Sequence, residues 1–271
     1  RDTDRSRGLG DVYKRQESFR CRWRNFQLSH YARSSYGREL TSLKNIHEGC
    51  RCFIIGNGPS LKVEDLNILA KHREISFAFN RIYNIFDQTH WRPTYYISQD
   101  EKMLQNTYDE MCSVPAEKRF FPVEMKWYYN MPLHDALFFH QKNPQNMLKP
   151  VFSDDISNFI GNSKTVAFTA MQIAVFMGIK EIYLIGTDHH FHKSINEKGE
   201  IVIDPSAKDY FCESYNKDKD DLYIPNTDES TYTFIAAKQY GDSHDIKIFN
   251  ATRGGKLEVF PRVNFDELFY T

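Results

Sequence analysis

Neither sign of charge is in excess in this chain of 271 residues: Lys and Arg number 35, Asp and Glu 36, and the formal net charge is -1. A protein built to coat nucleic acid carries a strong basic surplus, so nucleic acid is set aside as a partner. Cysteine is scarce: Cys21, Cys50, Cys52, Cys112 and Cys212 are odd in number and irregular in spacing, which makes no disulfide framework. Only one residue separates Cys50 from Cys52, where a zinc knuckle or thioredoxin motif needs two, so free thiols in a reducing compartment are expected. Long apolar runs are missing too. The longest uncharged stretch, Thr165–Ile179, includes Thr and Gln and falls short of the ~20 apolar residues of a membrane span. The N-terminus is charged where a signal peptide would have its apolar core. These absences lead us to expect a cytoplasmic protein, with peripheral contact at the inner face of the membrane left open. Internal repeats and low-complexity tracts are lacking, and 41% hydrophobic with 26% charged residues excludes a disordered chain.

Aromatics, by contrast, are abundant: 21 Phe and 16 Tyr supply bulk for a core or flat faces for a ligand to stack on. Residues 1–16, RDTDRSRGLGDVYKRQ, are charged and aperiodic, read as an adapter-derived tail, and are left out of fold reasoning. Residues 17–50 form an N-terminal helical extension, in which Phe19, Trp23 and Phe26 share one helix face that packs on the main domain or meets a partner. Residues 51–271 read as a single domain, and a homo-oligomer stays open.

Within that domain short apolar runs alternate with helical patterns. Strands are expected at Cys52–Ile55, Ile75–Phe79, Thr94–Ile97, Arg119–Val123, Glu181–Ile185 and Ile246–Phe249. Helices are expected at Leu61–Lys71, Lys102–Met111, Val166–Met177 and Thr231–Tyr240, the third apolar on every face and stopped by Gly178. Alternation of this kind implies βαβ units: an α/β fold, a three-layer sandwich of Rossmann-like type with a mostly parallel sheet. Residues 193–230 are polar, irregular and carry Tyr210, Phe211, Tyr215 and Tyr223, which reads as a lid insertion.

Each expected strand runs into small or polar residues. In open parallel sheets ligands sit at the carboxyl ends of the strands, so Gly56–Ser60, Asn80, Ser98–Asp100, Gly186–His190 and Asn250–Thr252 should line one crevice. Gly56-Asn57-Gly58-Pro59-Ser60 lets the backbone approach a ligand closely and leads toward a helix N-terminus that favours phosphate. It lacks the spacing of a dinucleotide fingerprint or P-loop, and the plain alternative is a tight turn with Ser60 as helix cap. Asp188-His189-His190-Phe191-His192 is the richest chemical patch: imidazoles act as acid or base near neutrality, and Asp188 orients one of them or, with Asp100, holds Mg²⁺ beside a pyrophosphate. Adjacent ligands suit zinc poorly, and no metal site is assigned. Asn250–Lys256 offers amides, a hydroxyl and two cations; it either receives an anion or is a turn that docks the apolar tail.

IIGNGPSL, FAFNRIY and SKTVAFTAMQIAVFMGIKEIYLIGTDHHF resemble a bacterial superfamily with two arms. One arm is the sialyltransferases that use CMP-activated sialic acid. The other comprises cell-surface polysaccharide and flagellar-glycosylation proteins, and shares a domain with an archaeal-type 6-hydroxymethylpterin pyrophosphokinase. NATRGGKLEVFPRVNFDELF is more similar to the second arm, and the likeness spans Arg51–Phe269. It implies that Asn57 and Asn80 bind the cytidine nucleotide and keeps Thr165 at the start of the buried helix; with the crevice residues Gly56, Gly58, Pro59, Ser60, Ser98, Asp100 and Gly186 these make up the expected nucleotide site. The sialyltransferases follow their helix-starting Thr with Ser, where this chain has Val166, and hold the donor phosphate with a tyrosine, where it has His190. Their lid histidine, the general base, has no counterpart in Pro225–Asp228, so Asp228, His189 or another member of the Asp188–His190 cluster replaces it. The implied function is a glycosyltransferase in bacterial surface-polysaccharide (lipopolysaccharide-type) assembly. It joins a nucleotide-sugar donor, a CMP-nonulosonic acid, to a glycan acceptor without a required cofactor. The first alternative is an ATP- and Mg-dependent pyrophosphokinase acting on 6-hydroxymethylpterin. The second is a non-catalytic nucleotide-binding module.

Overall fold

The computed structural model describes residues 21–196, 198–212, 215 and 224–269. Its centre is a seven-stranded sheet in the order β11-β8-β1-β2-β3-β4-β5, and every pairing in it is parallel. The strands are β1 (Arg51–Ile55), β2 (Ile75–Phe79), β3 (Tyr95–Ile97), β4 (Lys118–Pro122), β5 (Leu137–Phe139), β8 (Glu181–Ile185) and β11 (Lys247–Asn250). Cys52, Phe53, Ile54 and Ile55 are wholly buried, the continuous apolar run of a strand covered on both faces. Register lines up Phe53, Tyr183 and Phe249 across β1, β8 and β11, and their rings stack at 5.3 and 5.2 Å. Phe265 and Phe269 of the C-terminal tail close over Phe53, so the tail belongs to the core.

From β1 the chain steps outward through α3 (Val63–His72), β2, β3, α4 (Glu101–Cys112), β4, α5 (Val123–Tyr129) and β5. It passes the two-stranded pair β6 (Gln141–Lys142) and β7 (Ile160–Gly161), then returns along α6 (Val166–Phe176) to lay β8 on the other side of β1. The strand order therefore reverses between β1 and β8. A hairpin of β9 (Lys193–Ile195) with β10 (Ile201–Ile203), then α7 (Thr227–Ser243), lead to β11.

α6 is buried nearly throughout, and its one amide is fully used: Gln172 Oε1 accepts from Ser153 N–H (2.9 Å) and Gly161 N–H (2.8 Å), and Nε2 donates to Gly161 and Phe168 carbonyls. Gly178, at φ 90°, ends it as expected. Of the extension, α1 is described over residues 21–29, and α2 (Ser35–Thr41) packs on β5, with Tyr31 buried and its hydroxyl donating to the Phe138 carbonyl at 2.6 Å. Phe19 and the tail 1–16 lie outside the described residues. Trp23 and Phe26 stack on each other and stay exposed.

Several boundaries move. α3 begins at Val63, because Leu61 N–H closes a turn onto the Gly58 carbonyl (3.1 Å) first. Its cap position is Lys62, without a side-chain bond, so Ser60 is not the helix cap. α7 starts at Thr227, one turn before the expected helix, and part of the expected lid is the β9–β10 hairpin. Tyr223 and most of residues 213–223 lie outside the description. No described helix is long and apolar enough to cross a membrane.

Candidate functional site

Two turns meet where the sheet order reverses, the position at which open α/β sheets hold ligands. Gly58 N–H donates to the Gly186 carbonyl at 2.8 Å, and Gly56 N–H to the Ile185 carbonyl at 2.8 Å. A Cβ on Gly56 would stand 2.3 Å from the Gly186 oxygen, and one on Gly58 1.9 Å from Asp188 Oδ2. Close approach of the two backbones requires glycine at both positions. Gly186 is held at φ 63°. Asp188 fastens the two turns: Ser60 Oγ–H donates to Oδ2 at 2.7 Å and Ser60 N–H to the same oxygen at 3.3 Å. Burial pushes the Asp188 carboxyl up from its ordinary range, and the Ser60 bonds pull it partly back. Pro59 lies exposed at the tip of the turn.

Beside this clasp lie the amides. Asn57 is 7% exposed; its Nδ2 donates to the Phe79 carbonyl and to Tyr215 Oη, each at 3.0 Å. Asn80, next along from Phe79, sits at φ 55°, a left-handed backbone that asparagine tolerates. Its carbonyl accepts from Tyr96 Oη (2.6 Å), and its Oδ1 from Ser98 Oγ (3.4 Å). Asn57, Asn80 and Ser98 are thus gathered at the carboxyl ends of β1, β2 and β3. Against them lie Phe211 and Tyr215: Phe211 N–H donates to the Asn57 carbonyl (3.0 Å), and the buried Tyr215 ring stacks on Tyr210 at 3.9 Å.

Asp100 and Thr165 have local duties. Asp100 caps α4 by accepting from Met103 N–H at 2.8 Å, and Thr165 caps α6 by accepting from Ala167 N–H at 3.3 Å. Asp100 and Asp188 both spend an oxygen on the protein's own donors, and the described residues contain no group of three His, Cys, Asp or Glu placed to hold a metal.

The histidines diverge. His189, at φ 53°, points its Nε2 at Thr231 Oγ1 on α7 (2.7 Å). That hydroxyl donates its proton to the Thr227 carbonyl (2.9 Å), so Nε2–H must be the donor and Nδ1 is left as the acceptor. Burial holds the His189 pKa below the ordinary 6.5, against an opposing pull from Asp228, and so favours the neutral ring. His190 Nε2 lies 2.7 Å from Asp204 Oδ2 and 2.8 Å from Lys256 Nζ. The same nitrogen cannot both donate to the carboxylate and accept from the ammonium. A short contact to a carboxylate requires the proton, so Nε2–H donates to Asp204, and Lys256 (3.6 Å from Asp204) adds positive charge. Bonds from Ser206 and His190 hold Asp204 well below the usual carboxylate range. His192 is exposed and turned to the Asp204 carbonyl (3.0 Å).

Reading the sequence missed Arg81, Asp204 and Thr231 as neighbours of the site. Arg81 directly follows Asn80 and was there to be seen; Asp204 reaches His190 only through the hairpin, which leaves no local pattern. Of the two cations in Asn250–Lys256, Arg253 is engaged by Asp65 and Asp266, which favours the tail-docking turn.

A parallel α/β sheet with polar turns clasped at its reversal defines a Rossmann-like α/β domain. The chain belongs to the family described as MptE-like, 6-hydroxymethylpterin diphosphokinase MptE-like, whose match covers residues 28–194. No curated protein matches it. Among solved structures it is similar to the MAf glycosyltransferase from Magnetospirillum magneticum AMB-1, at 15% identity and a TM-score of 0.48, over 85% of this chain. This chain spans 38% of that protein's length.

Proposed function

We propose that the crevice binds a nucleotide-activated sugar and that the protein is a glycosyltransferase of bacterial surface-polysaccharide assembly, with a CMP-nonulosonic acid as donor. The observation that carries this reading is the convergence of Asn57, Asn80 and Ser98 with the exit of β8, which brings amides for a nucleotide beside neutral and cationic groups for group transfer. In this reading the acceptor hydroxyl oxygen forms a bond to the anomeric carbon. The bond from that carbon to the phosphate oxygen breaks, and its electron pair leaves with CMP. His189 Nδ1 takes the hydroxyl proton, with Asp228 favouring the imidazolium that results. His190 and Lys256 steady the charge on the departing phosphate, held in place by Asp204.

Thermal-shift measurement against CMP, CDP, UDP, GDP and ATP, each with and without Mg²⁺, tests this. CMP should stabilise the protein without metal, by about 2.7 kcal/mol at a hundred times Kd. The family match favours one second reading, diphosphate transfer from ATP to a pterin alcohol; stabilisation by ATP alone, and only with Mg²⁺, would replace the first reading with it.

A further inference from the structure

Polar groups around Tyr215 do not balance. Arg81 is 4% exposed, yet none of the ion pairs among the described residues includes it. One nitrogen, Nη1, donates to the Tyr215 carbonyl. The other two, Nε and Nη2, meet no partner at hydrogen-bonding geometry among the described residues, although the neutral Tyr83 hydroxyl lies within reach of the guanidinium. These two share one edge of the guanidinium, the edge that grips an oxyanion through two parallel N–H bonds. A second gap adjoins the first. Asn57 Oδ1 is buried and also without a partner among the described residues, and Asn57 Nδ2 and Arg81 N–H converge on a single atom, Tyr215 Oη, at 3.0 and 3.4 Å.

A buried cation that meets no counter-charge among the described residues is a costly arrangement for a protein to hold. Here the free edge is a bidentate fork at the carboxyl end of a parallel strand, beside an amide oxygen that wants a donor. A ligand that satisfies both carries an oxyanion and, close to it, an N–H or O–H. A nucleotide has both.

We propose that the Nε–Nη2 edge of Arg81 anchors the phosphate of the bound nucleotide, with Asn57 Oδ1 accepting from the base or ribose of the same molecule. The proposal rests on the nucleotide reading above and deepens it. It adds an anchor to the phosphate beside His190 and Lys256, which steady its charge in that reading. A sugar carboxylate offers the fork the same two-oxygen chemistry, and the test separates the two.

Binding of CMP, cytidine, inorganic pyrophosphate and N-acetylneuraminic acid is measured by calorimetry on the wild type, Arg81→Lys and Arg81→Gln, at fixed ionic strength. Lys keeps the charge and loses the fork. The wild type should bind CMP at least about tenfold tighter than cytidine, and in both variants that ratio should fall to about one while cytidine affinity holds within about threefold. An unchanged ratio in both variants overturns the anchor and leaves the nucleotide reading standing. Arg81-dependent pyrophosphate binding, with neither CMP nor cytidine bound by the wild type, supports the anchor as an anion site and overturns the nucleotide reading. Dependence on Arg81 confined to N-acetylneuraminic acid overturns the phosphate assignment. Should both variants fail to fold, wild type labelled with ¹⁵N-arginine decides: pyrophosphate and CMP, but not cytidine, should shift the resonance of a buried Nε–H, and no shift overturns the anchor.

Discussion

Gly58 and Asp188 show how tightly single residues define this site. A methyl at position 58 would lie 1.9 Å from Asp188 Oδ2, a carboxylate already fastened to Ser60. Gly58→Ala should therefore cost about 1–3 kcal/mol, read as a lowered urea midpoint. Asp188→Ala removes the obstructing oxygen, so the double variant should lose clearly less than the sum of the two singles; strict additivity would mean that the two do not meet. His189 gives a second prediction. A folded-state pKa below 6.5 means that the unfolded chain takes up the proton more readily. Stability from this residue is thus present above about pH 6.5 and is lost as pH falls through the folded value, in the sense that linkage requires. If His189 is the base, kcat/KM on its donor should stay flat near neutrality and fall on the acid side below pH 6.5. His189→Gln keeps a donor for Thr231 and should abolish that acid limb together with most of the turnover.

Elements make a different demand on Asp100. As the cap of α4 it needs only an acceptor oxygen for Met103 N–H. Asp100→Asn preserves one and should leave both stability and turnover close to wild type, while Asp100→Ala should cost about 1 kcal/mol. Loss of turnover in the stably folded Asn variant would instead mark the carboxylate charge as functional. The same contrast explains what the sequence discloses. Apolar runs such as FIIG and YLIG announce β1 and β8 because a parallel strand is buried on both faces. The polar residues just beyond them are legible as site candidates for the same reason. Whether such a residue serves a ligand or its own backbone is not legible: Asp100, Thr165 and Ser60 read alike, yet two cap helices and the third clasps Asp188. The first turn of α7 was hidden because Thr227, Asp228, Glu229 and Ser230 are as polar as a loop. Only Asn226, whose Oδ1 accepts from Glu229 N–H at 2.9 Å, marks the start. β5 is three residues long and follows a proline-bearing stretch, too short for periodicity to show.

Across the whole molecule, the crevice depends on segments far apart in sequence, and the last of them is secured by Arg253. Its guanidinium bridges Asp65 on α3 (2.8 Å) to Asp266 in the tail. The adjacent Thr252 Oγ1 receives Thr187 N–H at 3.2 Å, at the rim of the site. The two carboxylates differ in surroundings: the Asp65 side chain is 4% exposed and the Asp266 side chain 38%. Removing Arg253 would leave Asp65 as a buried charge without its partner, so Arg253→Met should cost about 3–5 kcal/mol. Asp266→Asn loses only a solvent-screened partner and should lower the urea midpoint far less than Arg253→Met. Arg253 holds Asp266 below its ordinary 3.8, so the part due to Asp266 is present above that pH and fades as pH falls through the lowered value. Urea denaturation of both variants at pH 7 measures the ratio. Similar losses would show that the tail contact, rather than the buried Asp65, carries the bridge. If the larger loss belongs to Arg253→Met, nucleotide affinity should fall with it, since the strand end that carries Thr252 and Lys256 would no longer be fixed against β8.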